Sequence, residues 1–229
     1  MYRLGIVVGA APIGMEREYL TDLCKEDDTY VVAADGGIEF FQSAGIKPNE
    51  WVGDMDSVSE KTINEVKIIT NEQVDKDRGR AEGNEVVKIT CVSAVKDYTD
   101  MELGLEKVFE TGCESAMIFG GTGGKRIEHT IANIQLIHKY VLMGKRVIIV
   151  SENHRIFVIH NEKITFPVNE SGYISIFSMT DISRNVCIKG LTYEYEGELT
   201  NNNALGVSNE FCGMESSISV ENGTLLIVK

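Results

Sequence analysis

No apolar run in this chain approaches the ~20 residues that a membrane-spanning helix needs. The amino-terminus, Met1-Tyr2-Arg3-Leu4, enters a short apolar stretch and lacks the hydrophobic core of a signal peptide. The five cysteines, Cys24, Cys91, Cys113, Cys187 and Cys212, include no C-x-x-C pair, which excludes the usual zinc spacing and argues against a disulfide framework. Basic residues are also short, 22 against 35 acidic, for a net charge of -13. Such a chain repels a phosphate backbone, so nucleic acid is not its expected partner. There is no internal repeat and no low-complexity tract. These absences lead to the expectation of a soluble cytoplasmic protein with reduced thiols.

What is present is an ordinary globular composition over 229 residues, 43% hydrophobic and 25% charged, enough for one large domain or two smaller ones. Apolar runs Leu4 to Ala10, Tyr30 to Ala34 and Trp51-Val52 alternate with helical stretches Met15 to Lys25 and one ending near Ser43. Further on, a helix is expected over Asp100 to Glu110, a strand over Ala116 to Phe119 and a helix over Ile127 to Met143. Near-continuous apolar strands between helices predict a doubly wound, mostly parallel sheet with helices on both faces. Strands are also expected at Lys67 to Thr70 and Glu85 to Val92, around a charged loop at 71–84, with a helix start at Val58 to Val66. From about Gly144 short β-branched runs separated by polar turns predict an antiparallel sandwich or barrel. The expected division is an α/β domain over 1–143 and an all-β domain over 144–229.

Three glycine-bearing turns follow three of the predicted strands: Gly9 to Pro12, Asp35-Gly36-Gly37 and Gly53-Asp54-Met55-Asp56-Ser57. In a parallel sheet, ligands bind beyond the carboxyl ends of the strands, so these turns share one rim. Asp54 and Asp56, one residue apart, suit a hard cation such as Mg²⁺ that bridges to phosphate oxygens; by themselves they also make an ordinary turn. Thr99 and Glu102 form a capping box at the start of the Asp100 helix. That reading is compatible with Asp100 as a third metal carboxylate and Lys96 as a phosphate contact. Gly120-Gly121-Thr122-Gly123-Gly124-Lys125-Arg126 precedes a helix that bears Glu128 and His129 near its start. It has neither the P-loop ending nor the dinucleotide fingerprint, so it is either an anion-binding turn or a plain loop. No Ser-His-Asp or Cys-His arrangement is arguable from residue order.

Taken together, Ala34-Asp35-Gly36-Gly37, Gly53-Asp54-Met55-Asp56-Ser57, Lys96-Asp97-Tyr98-Thr99-Asp100, Arg126-Ile127-Glu128-His129-Thr130-Ile131-Ala132-Asn133 and Gly206-Val207-Ser208-Asn209-Glu210-Phe211 resemble the thiamine pyrophosphokinase family in order and spacing. The resemblance implies an ATP-binding α/β domain, a thiamine-binding carboxy-terminal β-sandwich and a homodimer with thiamine sites at its interface. It implies Mg²⁺-dependent transfer of pyrophosphate from ATP to the thiamine hydroxyl, yielding thiamine diphosphate and AMP. Carried over by position, Asp54, Asp56 and Asp100 would bind the metal, and these with Asp35 and Arg126 make the catalytic set. Gly9, Gly36, Gly37, Lys96, Asp97, Thr99 and Arg126 would bind nucleotide; Asp35, Glu128, His129, Ser208 and Asn209 would meet thiamine. Two departures stand out: Glu128 replaces the family's Asp, and the interval 58–95 is longer than the pattern. The competing readings are a thiamine- or nucleotide-binding regulator on this fold and a Mg²⁺-dependent nucleotide-sugar glycosyltransferase.

Overall fold

The computed structural model describes residues 2–54, 87–91 and 97–229. Its five amino-terminal strands are β1 (Leu4–Val8), β2 (Thr29–Ala34), β3 (Glu50–Gly53), β4 (Lys88–Cys91) and β5 (Ser115–Phe119). They pair in the order β5-β1-β2-β3-β4, every pair parallel. Every residue of β1 is buried, the pattern of a strand covered on both faces. The connecting helices are α1 (Arg17–Leu23), α2 (Ile38–Ala44), α3 (Asp100–Glu110) and α4 (Ile127–Leu142).

Helix α3 shows how local pattern becomes packing. Met101, Gly104, Leu105 and Val108 fall on one face and are buried, and the helix lies on β1, β2 and β3. Two glycines permit the approach: a Cβ on Gly104 would lie 2.6 Å from Val7 Cγ1, and one on Gly5 would run into Val108. Thr99 Oγ1 accepts from the Glu102 amide at 3.2 Å, so the expected cap is present.

The described residues divide into two units, 1–133 with 150–152, and 134–149 with 153–229. In the second unit, β6 (Arg146–Val150), β7 (Arg155–His160), β9 (Tyr173–Ser178), β12 (Asn209–Glu210) and β14 (Thr224–Val228) run in the order β12-β9-β14-β7-β6. A second sheet, β11-β10-β13-β8, comprises β8 (Lys163–Phe166), β10 (Ile182–Lys189), β11 (Tyr195–Thr200) and β13 (Ser216–Ser219), all antiparallel. Ile174, Ile176, Leu225 and Ile227 from one sheet pack with Phe166, Val186, Ile188 and Ile218 from the other. The second unit is therefore a β-sandwich, and the expected α/β-plus-all-β class is the observed one.

The differences from the sequence reading lie at edges and ends. Strands β8 and β11 form the two edges of their sheet, and β12 is an edge of only two residues. None has a strong apolar alternation to reveal it, because an edge strand buries less of its surface. Helix α1 is shorter than Met15 to Lys25, and Asp35–Gly37 forms a single 3-10 turn leading into α2. The helix start at 58–66, the strand at 67–70 and the charged loop at 71–84 lie outside the described residues.

Candidate active site

Because β1, β2 and β3 are parallel and in register, their carboxyl ends emerge at one edge of the first unit. The turns that leave them approach closely because glycine removes the side chains between them. A Cβ on Gly37 would collide with the Val8 carbonyl oxygen, and one on Gly9 would lie 2.7 Å from the Gly120 oxygen. Backbone bonds tie the β1 and β5 turns together: Gly9 N donates to Phe119 O at 2.8 Å, and Ala11 N to Gly120 O at 3.2 Å. Gly53, at φ +140°, lies where the Asp35 backbone and the Asp100 side chain approach each other. A Cβ there would lie 3.2 Å from Asp100 Oδ1 and 3.2 Å from the Asp35 backbone nitrogen. Asp35, Gly53 and Asp100 thus converge from β2, β3 and α3, and Asp54 follows Gly53 directly.

Asp35 adopts φ +47°, a left-handed conformation uncommon for a residue with a side chain and a form of strain found at functional sites. It is held there by Trp51, which is fully buried and donates its Nε1–H to the Asp35 carbonyl at 3.0 Å. Asp54 and Asp100 are half-buried. Among the described residues no three His, Cys, Asp or Glu side chains gather as a complete metal cage. Mg²⁺ does not require one: it binds through one or two carboxylates plus waters and substrate phosphates, which suits the hard oxygens of Asp54 and Asp100. Asp56 and Lys96 lie outside the described residues.

The glycine-rich turn after β5 carries positive φ at Gly120, Gly123 and Gly124. Asn133, buried in α4, donates its Nδ2–H to the Gly121 carbonyl at 2.7 Å and fixes that turn to the helix. At its far end Arg126 Nε donates to Glu128 Oε1 at 2.8 Å, with both side chains exposed. The guanidinium holds the Glu128 carboxyl below its usual range. His129 is exposed, and its amide donates to the Arg126 carbonyl at 3.1 Å. Asp97 is exposed, one turn before Asp100.

Ser208 and Asn209 lie in the second unit. Ser208 is exposed at φ +58°, and its amide donates to Ser175 Oγ at 3.1 Å. Asn209 is buried. Its Oδ1 accepts from the amides of Tyr193 and Glu210 at 3.0 and 2.9 Å, while Nδ2 donates to the Tyr193 carbonyl at 2.7 Å. Asn209 therefore braces the segment that carries the exposed Tyr193.

Two separate stretches match family models: residues 21–149 the thiamin pyrophosphokinase catalytic domain, and residues 153–225 the thiamin pyrophosphokinase vitamin B1 binding domain. The chain belongs to the thiamin pyrophosphokinase family. Thiamine pyrophosphokinase of Bacillus subtilis (strain 168) is 26% identical over 206 residues, covering 89% of this chain and 88% of that one. Among thiamin pyrophosphokinase structures, the crystal structure from Bacillus subtilis aligns with a TM-score of 0.82 at 22% identity, over 99% of this chain and 98% of that one. The yeast thiamin pyrophosphokinase aligns with a TM-score of 0.75 at 16% identity, over 99% and 86%. At those identities the structural likeness speaks to the fold. The thiamin pyrophosphokinase family assignment makes this an enzyme with thiamine and ATP as its implied substrates.

Sequence reasoning missed two features. Asn133 stands inside a quoted motif, and an Asn in a helix interior is a weak signal of its own because it disfavours helix. A cavity of about 320 Å³ between the Gly9–Ala11 and Gly36–Gly37 turns is walled by Arg17, Phe40 and Ser43. Nothing in the order of residues marks Arg17, which reads as a solvated charge on a short helix.

Proposed function

We propose that this chain transfers the pyrophosphoryl group of ATP to the hydroxyethyl oxygen of thiamine in a Mg²⁺-dependent reaction. The thiamine oxygen bonds to the β-phosphorus, the bond from that phosphorus to the oxygen bridging to the α-phosphate breaks, and AMP leaves with the electron pair. The thiamine hydroxyl proton is released. The observation that carries this reading is the convergence of Asp35 and Asp100 on Gly53, beside Asp54, at the carboxyl rim of a parallel sheet. Such transfer needs chiefly positioning and charge neutralisation.

In this reading Asp54, Asp56 and Asp100 hold Mg²⁺, which when bound neutralises the phosphate oxygens. Lys96 and Arg126 contact the polyphosphate, the latter by exchanging Glu128 for a phosphate oxygen. The strained, Trp51-braced Asp35 orients the thiamine hydroxyl. Gly9, Gly36, Gly37, Asp97 and Thr99 shape the nucleotide side, and Glu128, His129, Ser208 and Asn209 the thiamine side. Residues 1–143 act as the nucleotide-binding domain and 144–229 as the thiamine-binding domain of a homodimer. Location in the cytoplasm fits this reading, and among the described residues no helix is long and apolar enough to cross a membrane.

The test is a product assay with purified protein, ATP, Mg²⁺ and thiamine. Thiamine diphosphate and AMP should appear in equal amounts and cease when a chelator removes the metal. ADP with thiamine monophosphate would replace pyrophosphoryl by simple phosphoryl transfer. Thiamine binding without product would mark a regulator. Family membership leaves the glycosyltransferase reading without support.

A further inference from the structure

The cavity beside the rim has a composition different from the carboxylate cluster. Arg17 is fixed on its wall: Nη2 donates to Ser43 Oγ at 2.6 Å, and Cζ lies 5.0 Å from the centre of the Phe40 ring. Ser43 Oγ in turn donates to the Phe40 carbonyl at 2.8 Å. Arginine on an aromatic face with one N–H committed is pre-organised, so ligand binding immobilises little further. Ala10, Ala11 and Ile13 add apolar surface, and Glu39 places one anion on the same lining. One cation and one anion leave the cavity without net charge. A polyphosphate would meet Glu39 unfavourably there, whereas a neutral, flat heterocycle gains an apolar wall and a guanidinium on which bases stack.

We propose that Arg17 is a nucleotide-positioning residue: held by Phe40 and Ser43, it forms the wall of the cavity that receives the purine nucleoside of the triphosphate. The inference rests on the pyrophosphokinase reading, in which Gly9, Gly36 and Gly37 already face the nucleotide. The glycine turns then separate two compartments, with phosphates on the carboxylate rim and nucleoside in the cavity. Arg17 holds the nucleoside equally in the ground and transition states, and it takes no part in bond exchange.

Calorimetry of the full chain with AMP, ATP and inorganic tripolyphosphate, alongside steady-state kinetics, tests this. Arg17→Ala should weaken AMP and ATP and raise the KM for ATP by about tenfold, with kcat and the KM for thiamine changed less than about twofold, because the lost contact is the same in ground and transition states. Tripolyphosphate affinity should not change. Ser43→Ala, which keeps the cation but frees it, should raise the KM for ATP by a smaller factor and controls for folding. Unchanged AMP affinity in Arg17→Ala, in a protein that still makes thiamine diphosphate, would overturn the proposal alone. An equal loss for tripolyphosphate would move Arg17 to the phosphates and overturn it too. A wild type that binds neither AMP nor ATP would remove the underlying reading with it.

Discussion

Thr99 and Asp100 are neighbours with separable tasks. Thr99 Oγ1 caps α3 through the Glu102 amide, whereas the Asp100 carboxylate lies against Gly53. Thr99→Ala should lower stability by about 0.5–2 kcal/mol, the usual loss for a removed cap. It should leave most of the turnover. Asp100→Asn should leave the melting temperature nearly unchanged and reduce kcat on the order of a hundredfold, as loss of a charge aligned with the reacting phosphates does. Melting curves and initial rates on the two variants check both. The cap was legible in Thr99-Asp100-Met101-Glu102, because it depends on residue type and short spacing. The Trp51 bond to the Asp35 carbonyl was not, since it joins a strand to the turn that leaves its neighbour.

Helix α4 illustrates the element scale. Asn133 holds the glycine-rich turn, and one turn and a half further on His138 has its Nε2 buried with no hydrogen-bond partner among the described residues. Burial, with a smaller contribution from His160, lowers the His138 pKa below its usual 6.5. A base whose pKa is lower in the folded than in the unfolded chain binds fewer protons when folded. Its contribution to stability is therefore complete above pH 6.5 and lost as pH falls from there through the lowered value. Denaturant midpoints should decline as pH falls below about 6.5, and His138→Gln should flatten that decline. A slope unchanged in the variant would place the titration elsewhere. Long elements such as α3 and α4 were read nearly to the residue from their periodicity. Strands β8, β11 and β12 were not, because edge positions bury too little to impose an alternating pattern.

At the scale of the whole molecule, the homodimer reading has a consequence for charge. Two chains of net charge -13 repel one another, and salt shortens the range of that repulsion. Association should therefore be weaker at low ionic strength. Sedimentation at decreasing concentration should show dissociation earlier in ~10 mM than in ~150 mM salt. Thiamine turnover per chain should fall in step, while AMP binding persists because its cavity lies within one unit. Turnover independent of concentration across dissociation would place thiamine within a single chain.

The amino-acid sequence by itself determined the class of each half and the order of the rim turns. Those follow from periodicity and from residue chemistry at short separation, which are local properties. Tertiary structure alone decided that Asp35, Gly53 and Asp100 converge, that Asn133 anchors a turn twelve residues away, and that Arg17 meets Phe40 and Ser43 across a cavity. These are contacts between segments brought together by parallel strand register and glycine close approach. No spacing along the chain encodes them, because they depend on how the buried faces of separate elements dock.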